Sequence, residues 1–330
     1  MIDIIFIKKW YLFNALQTSI MSITKNTGIL FMAALALFSN TLNAQDVPSK
    51  PLSIPVYNPM VLNPAFVGSK DFTNIGLTTK ALKYPDSQVL NLHKRLTTSD
   101  GNYSRFGFGA YGFQEQLNLS WHSGIAIAGS IHIPLDDANV HNISIGSSLK
   151  GILSVPKKGN EEVPDSSSTS LNPNMDFGVY YYGPQGFGGL SVTSVFGTKI
   201  TEKLSVESNA YISRQYHLYG GYKFILSKST GIVLEPSILV SLDDSTISEP
   251  HKNFVPYLKV YMQNFYVGTY LRSLDIFALF FQYQFPKFYT GVLLEFPRVG
   301  YLNDDNIIFE LSLGINLGKG GHQFLQYRHW

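Results

Sequence analysis

Few residues in this 330-residue sequence are arranged for chemistry. Ser120 stands two residues before His122, the types that a membrane-embedded hydrolase uses as nucleophile and base. No G-x-S-x-G or Walker A pattern accompanies them. Of the eight His, none forms H-E-x-x-H or sits in a zinc-type context. Gly107-Phe108-Gly109-Ala110-Tyr111-Gly112 fits G-x-G-x-x-G. A dinucleotide site needs a strand before that pattern and a helix after it. Here the glycines alternate with aromatics inside a strand pattern, so aromatics packed over glycine on a sheet are expected. The absence of Cys excludes disulfides, thiolate catalysis, iron–sulfur clusters and a lipidated N-terminal Cys. No catalytic residue, metal site or cofactor is expected from these residue types.

What remains is the elements themselves. Charged residues are only 15% of the chain and aromatics reach 14%. Soluble domains carry roughly 25% charged residues. A net charge of +2 offers no concentrated basic face for nucleic acid. Apolar residues recur with period two. Ile125, Ile127, Ile131 and Ile133 alternate with Ala126, Ala128, Ser130 and His132. Ile307, Phe309, Leu311, Leu313, Ile315 and Leu317 alternate with Glu310, Ser312, Gly314 and Asn316. Period two places each set on one face of a strand. His132 and His217 fall on such strands and read as lumen or interface residues. About fourteen strands follow, most longer than the five or six residues of a soluble strand and long enough to cross a bilayer at a tilt.

Connection lengths alternate in the second half. Leu153–Pro173, Phe196–Ser213, Leu242–Asn253 and Pro297–Asn306 are long. Gly183–Gln185, Ser227–Thr230, Gln263-Asn264 and Phe285-Pro286 are tight. Long outer loops and short periplasmic turns mark an outer-membrane barrel. The expected fold is an all-β, antiparallel transmembrane barrel of about fourteen strands over residues 72–317. Tyr180-Tyr181-Tyr182, Phe265-Tyr266, Phe280-Phe281 and Phe288-Tyr289 sit at strand ends, where interfacial girdles belong. Acidic pairs such as Asp243-Asp244 fall in outer loops and are expected to be solvated.

Residues 21–44 read as a secretory signal peptide: Lys25, an apolar Gly28–Phe38 stretch, then Ala44 before Gln45. Met21 alone begins a signal of normal length, so residues 1–20 read as a misassigned start. The mature chain then begins at Gln45. Residues 45–71 form a periplasmic or lumenal lead-in, and residues 318–330 a periplasmic tail carrying Phe324, Tyr327, Arg328 and Trp330.

The lead-in holds the most specific motif. Asn58-Pro59 and Asn63-Pro64 lie five residues apart and are followed by Ala65-Phe66-Val67-Gly68. Asn initiates a turn, Pro fixes φ, and Gly permits positive φ. This stretch, preceded by Tyr57 and the Gln45-Asp46 start, resembles the N-terminal signature of the PorP/SprF family, the type IX secretion system membrane proteins of gliding and related bacteria. Asp176–Tyr182, Gly189–Val192, His217–Tyr222, Leu234–Ser237 and Tyr270–Ser273 are similar to further segments of that family. Val47–Pro55 departs from it, being Pro-rich where the family carries an aromatic-Ser-Gln stretch. The resemblance implies an outer-membrane component that contacts membrane lipid and periplasmic secretion and gliding components. It implies further that the protein helps export or anchor a large surface adhesin by binding rather than catalysis. The residues alone leave open a channel for small or hydrophobic solutes, which would keep an open polar lumen, and a membrane-embedded enzyme.

Overall fold

The computed structural model describes residues 54–318 apart from 71, 82–86, 98–102, 118–119, 138, 157–168, 201–209, 213, 245–252, 273–275, 286 and 298–306. The signal-peptide and start-site readings of residues 1–44, the lead-in before residue 54, and the tail beyond residue 318 lie outside these.

Strands account for most of the described chain. The first seven are β1 (Thr73–Ala81), β2 (Ser87–Thr97), β3 (Tyr103–Leu117), β4 (Ser120–Pro134), β5 (Asn142–Pro156), β6 (Ser170–Tyr182) and β7 (Gly186–Thr193). A small hairpin, β8 (Thr198–Ile200) and β9 (Ala210–Ile212), forms a separate sheet. Then come β10 (Gln215–Tyr222), β11 (Phe224–Ser227), β12 (Ile232–Asp243), β13 (Phe254–Met262), β14 (Phe265–Arg272), β15 (Ile276–Gln284), β16 (Phe288–Pro297) and β17 (Ile308–Leu317).

Each wall strand pairs antiparallel with its neighbours, and β1 pairs with β17 from Thr73↔Leu317 to Ala81↔Phe309. β10 and β11 are one strand interrupted at Lys223, since both lie along β12. The wall is therefore a closed barrel of 14 strands. Closure leaves no edge with unpaired backbone groups, which is what a spanning sheet requires. Among the described residues no helix is long and apolar enough to cross a membrane.

The alternation has a definite sense. On β4, Ile125, Ile127, Ile131 and Ile133 are exposed on the outside, while Ala126, Ala128, Ser130 and His132 are buried inside. On β17, Leu313, Ile315 and Leu317 face out, and Glu310, Ser312 and Asn316 face in. An apolar outer band over a polar inner face is the pattern of an outer-membrane barrel.

Three details differ from the sequence-based expectation. β5 runs to Pro156 and β6 starts at Ser170, so the connection between them is shorter than Leu153–Pro173. The β7–β10 connection contains the β8–β9 hairpin rather than only loop. The aromatic pairs do not all face lipid: Tyr180, Tyr182, Tyr266, Phe280 and Tyr289 are buried inside. Adjacent residues on a strand point to opposite faces, so only one of each pair reaches the outer surface. The outer members do cluster at the end with the tight turns. Phe285 stacks on Phe288 at 4.1 Å and meets Tyr283 at 4.6 Å, and Phe265 lies 5.8 Å from Phe281.

The tight connections at Gly183–Gln185, Gln263-Asn264 and beside Phe285 share the end at which the chain enters β1 and leaves β17; we call it the turn end, and the opposite one the loop end. An epitope inserted at Ser166–Ser168 is expected to be reached by antibody on intact cells. One at Gln185 should be reached only after the outer membrane is permeabilised. Equal labelling at both sites contradicts this topology.

Candidate functional site

Residues 54–70 do not join the wall. They fold inside it as three short turns: α1 (Ile54–Tyr57), α2 (Pro59–Leu62) and a 3-10 turn at Pro64–Phe66. Each Asn-Pro step starts one of the last two. Asn58 and Asn63 hold the N-cap positions, with Pro59 and Pro64 first in each turn. The Asn63 side chain accepts a hydrogen bond from the Ala65 amide at 2.9 Å. Proline suits the first position because its φ is preset and because it brings no N–H that would need a partner.

Inside a barrel, irregular backbone must satisfy its polar groups without bulk water. The turns satisfy several internally: the amides of Val61, Asn63, Phe66, Val67 and Ser69 donate to carbonyls three or four residues back. Wall hydroxyls meet three of the carbonyls. Ser191 on β7 donates to the Leu62 carbonyl at 2.6 Å, and Ser144 on β5 to that of Ala65 at 2.6 Å. Ser130 on β4 donates to the Val67 carbonyl at 2.5 Å. His132 Nε2 lies 2.9 Å from that same oxygen. A carbonyl only accepts, so Nε2 carries the proton, and Nδ1 is free to accept from the Tyr182 hydroxyl at 2.8 Å. Arg95 in turn donates to Tyr182 at 3.0 Å.

The motif side chains tie the plug to more distant strands. Asn63 Nδ2 donates to the carbonyls of Val179 at 3.1 Å and Leu190 at 3.3 Å, joining β6 and β7. Asn58 donates to Thr78 on β1 at 2.9 Å and accepts from Asn91 on β2. The Tyr57 hydroxyl donates to the Val292 carbonyl on β16 at 2.9 Å. Burial, with Glu310 and Tyr289 adding to it, raises the Tyr57 pKa well above the usual tyrosine range, so this hydroxyl stays a donor. Phe66 sits between His93 and Tyr180, with ring centroids 5.8 and 5.5 Å away.

The wall makes room with glycine. A Cβ on Gly146 would sit 2.5 Å from the Ala65 Cα, and one on Gly109 would meet Met60 and Val67. Gly178 and Gly189 lie against the Asn63 amide, and Gly291 against the Tyr57 ring. One approach is glycine on glycine: Gly68, at φ +74°, touches Gly107, where a Cβ on Gly68 would stand 2.6 Å from the Gly107 Cα. This corrects the reading of Gly107–Gly112 as aromatics packed over glycine. Phe106 and Phe108 face out, while Gly107 and Gly109 face in and receive the plug.

The motif residues Asn58, Pro59, Asn63, Pro64, Ala65, Phe66 and Gly68 thus all lie within the lumen, close to the turn end. The tail residues Phe324, Tyr327, Arg328 and Trp330 lie outside the described residues. The sequence reading did not single out Ser130, Ser144, Ser191, Gly146, Gly178 or Gly189. Their signal was present: small residues at lumen-facing positions near the turn end of consecutive strands.

Beside and beyond the plug, the lumen holds paired charges. Lys150 lies 2.7 Å from Asp176, Arg272 2.6 Å from Glu295, and Lys259 3.3 Å from Glu235. Tyrosines add to two of the pairs: Tyr261 donates to Glu235 at 2.8 Å, and Tyr270 donates to Glu295. Lys80 sits opposite Glu310 in the β1–β17 register. Asp176, Glu235, Glu295 and Glu310 are each no more than 1% exposed. His122 and His217 are used in strand pairing. His122 bonds Ser154 at 2.9 Å, and His217 bridges Thr193 at 3.0 Å and Ser241 at 2.9 Å. Among the described residues, no group of three His, Asp or Glu comes together to hold a metal.

These features define a closed, plugged β-barrel of the outer-membrane type. The sequence profile of the family described as type IX secretion system membrane protein PorP/SprF matches residues 51–315. The chain belongs to that family, and it is an outer-membrane protein. Family and fold are those of a secretion-system membrane barrel, not of a known enzyme class. No curated protein matches the chain. Among solved structures it is similar to the outer membrane protein Omp33 of Acinetobacter baumannii, at 8% identity and a TM-score of 0.40 over 76% of this chain and 99% of that one. It is also similar to the KdgM porin, at 11% identity and a TM-score of 0.34 over 75% and 99%. A third is BamA from Haemophilus ducreyi lacking POTRA domains 1–3, at 8% and 0.37 over 75% and 70%.

Two substitutions separate the plug cradle from the lipid face. Gly146→Val places side-chain atoms where the Ala65 backbone lies, and overpacking of this kind costs about 1–3 kcal/mol. The temperature at which the folded band disappears on a heat-modifiability gel should fall. Gly129→Ala, at an outward position with open space around it, should leave that temperature unchanged. Equal behaviour of the two contradicts the cradle.

Proposed function

We propose that this barrel helps export or anchor a large surface adhesin of the type IX system by binding, as a fixed outer-membrane dock rather than a conduit. The observation that carries this reading is the closed lumen. A plug hydrogen-bonded to β1, β2, β4, β5, β6, β7 and β16 fills the turn end. Three ion pairs are buried in the same lumen, and an ion crossing it there would have to break them. That supports a binding role over the small-solute channel. Membership of a secretion-system family implies contact with machinery components.

Short connections belong on the periplasmic side, so the turn end faces the periplasm in this reading. The plug leads into β1 there, and the chain leaves β17 there after Leu317. Phe324, Tyr327, Arg328 and Trp330 supply aromatic and basic side chains of the kind enriched at protein interfaces. Both termini then form one periplasmic docking surface for the secretion and gliding components, while the outer wall meets membrane lipid. The signal peptide ending at Ala44 delivers the mature chain, beginning at Gln45, to that compartment.

Deleting Gly321–Trp330 is expected to leave a folded, heat-modifiable barrel in the outer membrane while the adhesin is lost from the cell surface. Normal surface levels of adhesin contradict the docking reading. Degradation of the truncated barrel assigns the tail to assembly instead.

A further inference from the structure

The plug packs on both halves of the wall. Met60, Ala65 and Phe66 share one apolar cluster with Tyr111, Tyr180 and Tyr182. Val56, Tyr57 and Leu62 share another with Tyr261, Tyr266 and Leu293. Between plug and wall a crevice of about 90 Å³ remains. It sits at the mouth of the turn end. Of the residues around it, Gln284 is the last of β15, Tyr289 the second of β16, and Asn316 the last but one of β17.

The polar part of the lining is weighted toward donors. Its charged residues are Lys70 and Lys259, and no Asp or Glu is among the described residues that line it. The Lys70 ammonium stands 5.6 Å from the ring centres of both Phe66 and Phe72, and Lys259 also pairs with Glu235 at 3.3 Å. Two carboxamides add to this. The Gln282 side-chain oxygen accepts from the Tyr266 hydroxyl at 2.8 Å, and that of Asn316 accepts from Asn74 at 2.8 Å. Each amide keeps its NH2 group for the crevice, and among the described residues nothing accepts from either. Both residues are more than nine-tenths buried, and buried donors call for an acceptor from protein, water or ligand. A carboxylate supplies one: two oxygens and one negative charge, taking charge-assisted hydrogen bonds from amide and ammonium alike. The rings of Tyr57 and Tyr266 line the same space and suit an apolar stem behind the carboxylate. The space is smaller than the cavity of about 150 Å³ that takes a benzene, so it admits the tip of a side chain. So few atoms carry little affinity of their own; the rest must come from the chain that bears them. We propose that the crevice receives an Asp or Glu side chain of a periplasmic partner docked at the turn end. This deepens the docking reading and rests on it for the compartment of the partner.

The test uses the purified full chain in detergent and three probes: the capped tripeptides acetyl-Gly-Glu-Gly-amide and acetyl-Gly-Gln-Gly-amide, and acetate. Titrations followed by saturation-transfer NMR should show the Glu peptide binding at least fivefold more tightly than either of the others. Equal affinity of the two peptides overturns the proposal, because the carboxylate is then not what is recognised. Acetate binding as tightly as the Glu peptide overturns it in favour of a free anion. Two near-isosteric substitutions locate the site. Asn316→Asp and Gln282→Glu keep the oxygens that accept from Asn74 and Tyr266 and replace each NH2 donor by a carboxylate oxygen. Each should weaken the Glu peptide at least tenfold while the folded band on a heat-modifiability gel is retained. Unchanged affinity in either folded variant overturns the proposal. Neither the adhesin nor the tail enters these measurements, so failure here is distinct from failure of the docking reading.

Discussion

An irregular stretch of backbone inside a membrane barrel must find a partner for each of its polar groups, because no bulk water is there to supply one. That requirement organises much of this structure. Proline at the head of two turns removes donors that would otherwise need acceptors. Short-range turn bonds satisfy the amides of Val61, Asn63, Phe66, Val67 and Ser69. The carbonyls of Leu62, Ala65 and Val67, which point outward from the turns, are met by Ser191, Ser144 and Ser130 on three wall strands. The wall strands must carry hydroxyls at those heights and glycine between them, so that backbone can approach backbone. Gly107 against Gly68 and Gly146 against Ala65 are the cases in point.

The same constraint explains which parts of the structure were legible in the sequence. Period two is a local property, and it is visible in Ile125–Ile133 because lipid on one side and plug on the other impose opposite chemistry on alternate residues. The Asn-Pro steps were legible as turn chemistry because Asn and Pro act on their own backbone. The cradle was not. Gly146 and Ala65 are far apart in sequence, and a glycine in a strand has several local explanations. Gly107 and Gly109 were therefore assigned to aromatic packing, although the aromatics beside them face lipid. The aromatic pairs at strand ends failed for a related reason: composition identifies the level of an interface, but the pleat sends every second ring into the lumen. Tyr180 and Tyr182 accordingly pack around the plug, and Tyr182 completes the hydrogen bonds of His132.

These arrangements also limit what the barrel can do. An open channel needs a continuous polar path, and here three lumen-facing ion pairs lie at 2.6–3.3 Å and are buried. Buried ion pairs of this kind contribute little net stability once desolvation is counted. A permeating ion would have to break them. At the turn end the plug meets the wall, and the chain enters β1 and leaves β17 there.

Amide hydrogen exchange of the intact barrel in detergent tests the seated plug most directly. If residues 61–69 are locked into the wall, their amides should exchange as slowly as those of β4 and β5, because releasing them requires opening the barrel itself. Exchange of this segment within seconds, while β4 and β5 stay protected, would show that the lead-in is not held in the lumen and would contradict the account.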